Sequence, residues 1–266
     1  MEFSLEIQVR LIQLIRKTIF FLIIFCISLV ISCTNNTKPQ EITILAAASL
    51  ADVLSEIEKS YESKTGIDLL ISYGGSQMLA HQIVHGAKTD LFIPAGHAPL
   101  TILENAVMIE NSYLLLTNSL ILVTHTSNTS SINNLGELTS RKFNKISIAD
   151  PNFAPAGIYA KTALSNHGIW ENLQEKMILG VNVRTVLSYV ETQNVQVGIV
   201  YKTDAISSNI VRSLLIIPQE SYSKIQYPIA ITKTAIDNKH VSHFIEYLFT
   251  PESRNKFLKY GFETVN

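Results

Sequence analysis

The sequence predicts an α/β protein. Strand-like apolar runs alternate with helix-like segments, glycines fall where those helices would stop, and a loose polar stretch in mid-chain marks a crossing into a second lobe. Repeated β-then-α units of this length imply a mostly parallel sheet with helices on both faces. The order begins at Glu41. Ile42-Thr43-Ile44-Leu45-Ala46 is a short buried-strand run; Leu50, Val53, Leu54 and Ile57 then recur at helical spacing, with Gly66 where a helix C-cap would fall. Ile67 to Tyr73 is strand-like again and leads into a helix through Leu79, Ile83 and Val84 that stops at Gly86. Leu91-Phe92-Ile93 is a third strand.

Ser119 to Thr124 is the strongest continuous apolar strand, and the Ser/Thr/Asn stretch from Thr126 to Asn134 reads as the crossing. Beyond it come a strand at Ile146 to Ala149, a helix from Pro155 to Asn166 ended by Gly168, a helix near Arg184 to Glu191, and a strand at Gln196 to Val200. Tyr227 to Ile231 is apolar enough for the return. Val241, Phe244, Ile245 and Leu248 share one helix face, Thr250-Pro251 reads as an N-cap with Pro at the first helical position, and Gly261 as a stop. The expected division is lobe 1 over 41–123, lobe 2 over 124–228 and a return to lobe 1 over 229–266.

The first residues read as an address. Arg10, Arg16 and Lys17 precede an apolar run from Ile19 to Ile31, too short for a comfortable membrane span, which ends in Val30-Ile31-Ser32-Cys33 and turns polar at once. This resembles a bacterial lipoprotein signal: residues 1–32 would be removed, Cys33 lipidated, and 33–40 left as a linker. An uncleaved N-terminal anchor is the alternative, and in both cases the body lies outside the cytoplasm, in the periplasm or at the cell surface. The chain has 2 Cys, Cys26 and Cys33, both in this leader, so the body is expected to hold no disulfide and to rest on core burial. With 21 Lys+Arg against 22 Asp+Glu, the net charge of -1 gives no basic footprint for nucleic acid.

Two hydroxyl-bearing turns stand out: Ala46-Ala47-Ala48-Ser49-Leu50 and Tyr73-Gly74-Gly75-Ser76-Gln77, each between an apolar strand and a helix start. At a helix N-terminus the first N–H groups have no intrahelical partner and the peptide dipoles sum to partial positive charge, so these turns are candidate anion sites. Ser49-Leu50-Ala51-Asp52 also fits a capping box, which would occupy the Ser49 hydroxyl without a ligand. A hydroxyl has one donor and two acceptor lone pairs, so it can do both. Gly74-Gly75 either lets a ligand approach the backbone or simply makes a turn.

Further motifs carry a resemblance. Ala46-Ala47-Ala48-Ser49-Leu50, Gly75-Ser76-Gln77-Met78-Leu79-Ala80-His81-Gln82-Ile83 and Asp90-Leu91-Phe92-Ile93 are followed by Asp150-Pro151, Pro155-Ala156-Gly157-Ile158-Tyr159-Ala160, Asn182-Val183-Arg184 and Gly198-Ile199-Val200-Tyr201-Lys202-Thr203-Asp204-Ala205. Together, over Glu41 to Phe262, they resemble the periplasmic molybdate-binding proteins of ABC transporters. The resemblance implies a type II periplasmic-binding-protein fold, two α/β lobes joined by a two-strand hinge with the ligand in the cleft. It implies that the hydroxyls of Ser49, Ser76 and Tyr201 and the backbone N–H groups of Ala156 and Val183 hold molybdate or tungstate, with molybdenum bound only through its oxyanion. It further implies a monomer with no cofactor and no enzymatic step, whose partners are molybdate, an ABC permease with its ATPase, and a membrane reached by the lipid anchor. Gly74-Gly75 and Gln77 depart from the family's commoner Ala and Ser. Tyr201 could alternatively be a core tyrosine with a wet hydroxyl. The same fold could carry sulfate or a small organic acid, or serve as a regulator's effector domain, a reading that needs a DNA-binding helix-turn-helix and a cytoplasmic address where this chain has the lipobox-like leader.

Other motifs fall away. His81 and His85 are four apart and His240 and His243 three apart, but neither pair has a Glu or third ligand in zinc-site spacing, so solvated helix faces are expected. Gly74-Gly75-Ser76-Gln77-Met78 lacks the second Gly of a nucleophile elbow. Arg184, at a helix start, is expected outside the enclosed site, paired with a surface carboxylate.

Overall fold

A computed structural model describes residues 16–19, 40–236 and 238–265. The expected leader, linker and Cys33 lie outside these residues except for 16–19 and Gln40. Among the described residues no helix is long and apolar enough to cross a membrane.

Residues 41–266 form one compact unit containing two sheets. In chain order it runs β1 (Glu41–Ala47), a 3-10 turn (Ala48–Leu50), α1 (Ala51–Thr65), β2 (Asp68–Gly74), α2 (Ser76–Val84), β3 (Leu91–Ile93), α3 (His97–Asn105) and β4 (Ile109–Asn118). The second lobe follows with β5 (Leu120–His125), β6 (Ile146–Ala149), α4 (Pro155–Asn166), α5 (Trp170–Leu173), β7 (Met177–Gly180), α6 (Val183–Glu191), β8 (Val197–Tyr201), α7 (Lys202–Ile206) and β9 (Val211–Ile216). The chain returns through β10 (Ile225–Thr232), α8 (Lys239–Leu248), α9 (Pro251–Lys259) and β11 (Glu263–Thr264).

Local chemistry accounts for the element ends. Gly66 ends α1 at a φ of 69°, a left-handed cap open to glycine without strain. The Asn182 side chain accepts from Thr185 N–H at 3.0 Å to start α6, and Thr250 accepts from Ser253 N–H at 3.3 Å ahead of Pro251 to start α9.

The first sheet has the order β11-β4-β10-β3-β1-β2 and the second β7-β6-β8-β5-β9. Both are mixed, which corrects the expectation of a mostly parallel sheet. β1 pairs in parallel with β2 and β3, and β6 with β7 and β8, but β10 runs antiparallel to β3 and β4, and β5 to β8 and β9. The reason is topological. A strand that enters a lobe from the cleft must run against the βα strands whose carboxyl ends face that cleft, and β10 and β5 are those strands.

Sheet membership also moves the crossings. β5 lies wholly in the second sheet, so the chain crosses at Ser119, not after Val123. β10 pairs with β4 from Ile225 onward, so the return falls between Ile216 and Ile225, not at 228. An apolar run announces burial without saying in which sheet. The polar stretch after Thr126 is a loop within lobe 2, tied down where the Arg212 guanidinium donates to the carbonyls of Asn128 at 2.7 Å and Ser130 at 2.6 Å. At the hinge the crossings are stitched together: Ile217 N–H donates to the Leu120 carbonyl at 3.1 Å, and Leu120 N–H to the Tyr222 hydroxyl at 2.9 Å.

Candidate functional site

The carboxyl ends of β1, β2, β6, β7 and β8 all turn into helical starts at one place. Ser49 lies in the 3-10 turn after β1, Ser76 is the first residue of α2, Ala156 the second of α4, Val183 the first of α6, and Tyr201 the last of β8. The structure brings these five residues together around one cavity, with Ala47, Ala48, Gly74, Gly75, Ala95, Ala154, Pro155 and Asn182 completing the wall. None of these lining residues carries a charge. Most are small, so backbone comes close to the cavity, and the N–H groups of Ala156 and Val183 belong to the helix-start set that has no intrahelical acceptor. The cavity is therefore a cluster of neutral donors backed by positive ends of helix dipoles.

Ser49 does not cap its helix. No side-chain cap bond is made at either the 3-10 turn or α1, and the Ser49 hydroxyl instead meets the Tyr227 hydroxyl at 2.9 Å. Ser76 Oγ accepts from the Ala95 N–H at 3.0 Å. Tyr201, a residue of the cavity wall, is 1% exposed, and its hydroxyl has no partner among the described residues. Burial, reinforced by Tyr227 and Asp204 nearby, pushes the Tyr201 phenol well above its ordinary pKa, so it remains an O–H donor. An unpartnered buried hydroxyl is costly, and a ligand oxygen would relieve that cost.

The two lobes touch across the site. Gln77 Nε2 donates to the Pro151 carbonyl at 3.3 Å, and Met78 N–H to the Phe153 carbonyl at 3.4 Å. Gly75 explains the closeness: a Cβ there would lie 2.3 Å from the Phe153 oxygen and 2.9 Å from that of Val181. The glycine pair, read as room for a ligand or as a simple turn, thus splits, with Gly75 making room for the opposite lobe, while a Cβ on Gly74, at the end of β2, would press on Met78 and Leu79 of the helix that follows at 3.1 Å.

Arg184 stays off the cavity wall and pairs with a half-exposed carboxylate, both as expected, but it also holds a buried one that was not foreseen. It reaches Asp52 on α1 of the other lobe at 2.7 Å and, on its second side, Asp204 at 2.7 Å, whose carboxylate is fully buried. It also donates to Ser207 Oγ at 3.0 Å and to the Ser49 carbonyl at 3.4 Å. Burial pushes Asp204 up to about 6, against the pull of Arg184 and of the Tyr201 N–H that its carboxylate accepts at 3.3 Å. Asp52, matched to Ser49 by the capping-box spacing, serves this ion pair instead.

Sequence reading missed Tyr227 and Asn118, which stand directly behind Ser49. Tyr227 counted only as one apolar residue of the return strand, and Asn118, just ahead of the apolar run from Ser119, was not singled out; a polar atom inside or beside such a run was the available signal. His81, His85 and His243 are exposed, and no group of three or more His, Cys, Asp or Glu among the described residues is arranged to hold a metal ion.

Two lobes of mixed sheet closing on a cavity of helix starts define a solute-binding architecture. The chain belongs to the family of bacterial extracellular solute-binding proteins, whose model matches residues 42–263. The molybdate-binding protein ModA of Escherichia coli (strain K12) is 34% identical over 228 residues, covering 84% of this chain and 88% of that one. A Bacillus subtilis (strain 168) chain with the provisional name ABC transporter substrate-binding lipoprotein YvgL is 37% identical over 234 residues, covering 87% and 89%. Among solved structures, the Azotobacter vinelandii periplasmic molybdate-binding protein superposes with a TM-score of 0.76 at 20% identity, covering 85% of this chain and all of that one, which establishes the shared fold.

Proposed function

We propose that this protein captures molybdate, and tungstate with it, outside the cytoplasm and delivers it to an ABC permease. The observation that carries this reading is the donor set: Tyr201, whose buried hydroxyl has no partner among the described residues, lines the same cavity as Ser49, Ser76 and the helix starts at Ala156 and Val183. Neutral donors avoid the desolvation cost of a buried Lys or Arg, and each charge-assisted hydrogen bond contributes about 1.5–3 kcal/mol. Five of them are compatible with micromolar to nanomolar binding, about −8 to −12 kcal/mol after ordering costs. The names borne by the Escherichia coli and Bacillus subtilis relatives favour molybdate and an ABC transporter.

Acceptor-only dianions suit such a cavity, whereas hydrogen phosphate brings a proton and no carboxylate lines the cavity to accept it. Molybdenum enters as cargo, its oxygens toward the protein, with no cofactor and no bond-making step. The protein acts as a monomer, tethered through lipid on Cys33. Native mass spectrometry of the purified protein with molybdate, tungstate and sulfate in competition tests the ligand: one molybdate or tungstate per chain, outcompeting sulfate, is expected. Preference for sulfate would overturn the assignment. Cys33→Ser should release the protein from membranes in a carbonate wash with affinity unchanged, and retention on the membrane would refute the tether.

A further inference from the structure

We propose that Tyr227 and Asn118 are specificity-determining positioning residues: they hold the Ser49 hydroxyl as a donor toward the cavity, so that an oxyanion carrying its own proton is turned away. This rests on reading the cavity as an oxyanion site. The hydrogen-bond chain behind Ser49 has a fixed sense. Asn118 is the last residue of β4, at the crossing, and its Oδ1 accepts the Ser119 N–H at 2.9 Å. That contact assigns the amide, so Nδ2 is a donor on both hydrogens, to Thr203 Oγ1 at 3.0 Å and to Tyr227 Oη at 3.2 Å. Asn118, Thr203, Tyr227 and Ser49 are all buried, so a polar hydrogen without an acceptor has no water to turn to.

Tyr227 Oη already accepts from Asn118. Its single hydrogen then goes to Ser49 Oγ, 2.9 Å away. Ser49 Oγ accepts it, and the serine's own hydrogen is left for the cavity that Ser49 lines. The reverse sense would strand the buried phenol hydrogen, a penalty worth roughly ten- to a hundredfold in a binding constant. Ser76 repeats the logic with one bond: its oxygen accepts from the Ala95 N–H at 3.0 Å, which leaves its hydrogen free. Both serines are thereby committed as donors before any ligand arrives. Molybdate, tungstate and sulfate need only donors, whereas hydrogen phosphate and hydrogen arsenate also need an acceptor, and the chain behind Ser49 aims a hydrogen at the ligand and leaves that hydroxyl one lone pair instead of two.

Calorimetric titration of the full chain with molybdate, sulfate and phosphate, at mildly alkaline pH where phosphate is a singly protonated dianion, tests this. In Asn118→Asp the new carboxylate accepts from the Tyr227 hydroxyl, the phenol oxygen accepts from Ser49, and Ser49 turns a lone pair to the cavity. The preference for molybdate over phosphate should narrow by roughly tenfold or more. Adding Tyr227→Phe keeps the charge but cuts the chain, and the preference should return. A common loss for all three anions in Asn118→Asp, or a narrowed preference that survives Tyr227→Phe, would overturn the proposal alone, since it would be charge and not hydrogen-bond sense at work. A second cycle does not depend on Asn118→Asp folding: Tyr227→Phe should weaken molybdate binding a few-fold, roughly, but add no loss once Ser49→Ala is present. Equal losses in both backgrounds would overturn the proposal. Failure of the unaltered protein to bind any of the anions would overturn the site reading and the proposal together.

Discussion

Removing the Ser49 hydroxyl strands the buried Tyr227 phenol, which has no other acceptor among the described residues. Ser49→Ala should therefore lose about 1–3 kcal/mol of ligand-free stability as well as about 1.5–3 kcal/mol of molybdate binding. Ser49→Ala with Tyr227→Phe separates the two effects: removing both partners of a hydrogen bond is nearly neutral, so chemical denaturation should show stability largely restored while calorimetry shows binding still weak. Recovery of both would mean that the hydroxyl supports the fold alone. Asp204 makes a separate claim. Its folded pKa, pushed up to about 6 by burial, lies above the ordinary carboxylate value of about 4, so between these pH values the folded state holds the extra proton. The stability contributed by that proton is present at the lower pH and is lost as pH rises through about 6. Denaturation of wild type and Asp204→Asn across this window should show the wild type's relative stability falling as pH rises; a difference independent of pH would contradict the buried-carboxylate account.

Two glycines show how elements, rather than single contacts, set closure. Gly157 lies in the first turn of α4, where a Cβ would fall 2.0 Å from the Ala149 carbonyl of β6 in the same lobe. Gly75 abuts the opposite lobe, and its φ of -67° and ψ of 128° are open to any residue. Gly157→Ala should thus lower the melting temperature without ligand, whereas Gly75→Ala should leave it near wild type and weaken molybdate binding by roughly tenfold or more, as the lobes are held apart. Equal thermal losses in both variants would refute this division. Much at this scale was legible in the chain: the α4 bounds, the Thr250-Pro251 start and the glycine stops follow from capping chemistry that acts within a few residues. Sheet direction and the crossings were not, because antiparallel pairing of β5 and β10 is decided by partners tens of residues away. The same holds at the site: Ser49 and Ser76 stand out in local turn motifs, Ala156, Val183 and Tyr201 follow only from the family resemblance, and Asn118, Tyr227 and the second partner of Arg184 reach the site only through long-range contact.

Across the whole molecule, the donors are divided between lobes: Ser49 and Ser76 on one, Ala156, Val183 and Tyr201 on the other, with Arg184 to Asp52 a second link beside them. No single lobe can satisfy a tetrahedral anion, so ligand should favour the closed arrangement in which both sets meet. Small-angle scattering should show a smaller radius of gyration with molybdate than without, and thermal stability should rise with molybdate concentration; constancy of both would count against a closing cleft. The central claim is that an unprotonated oxyanion is held between the lobes by neutral donors alone. Crystals grown with molybdate and measured near the molybdenum absorption edge test it most directly. The account predicts one anomalous peak in the cavity, with Ser49 Oγ, Ser76 Oγ, Tyr201 Oη and the nitrogens of Ala156 and Val183 at roughly 2.6–3.2 Å from the surrounding oxygens. A peak elsewhere, or one with the Arg184 guanidinium in direct contact, would contradict it.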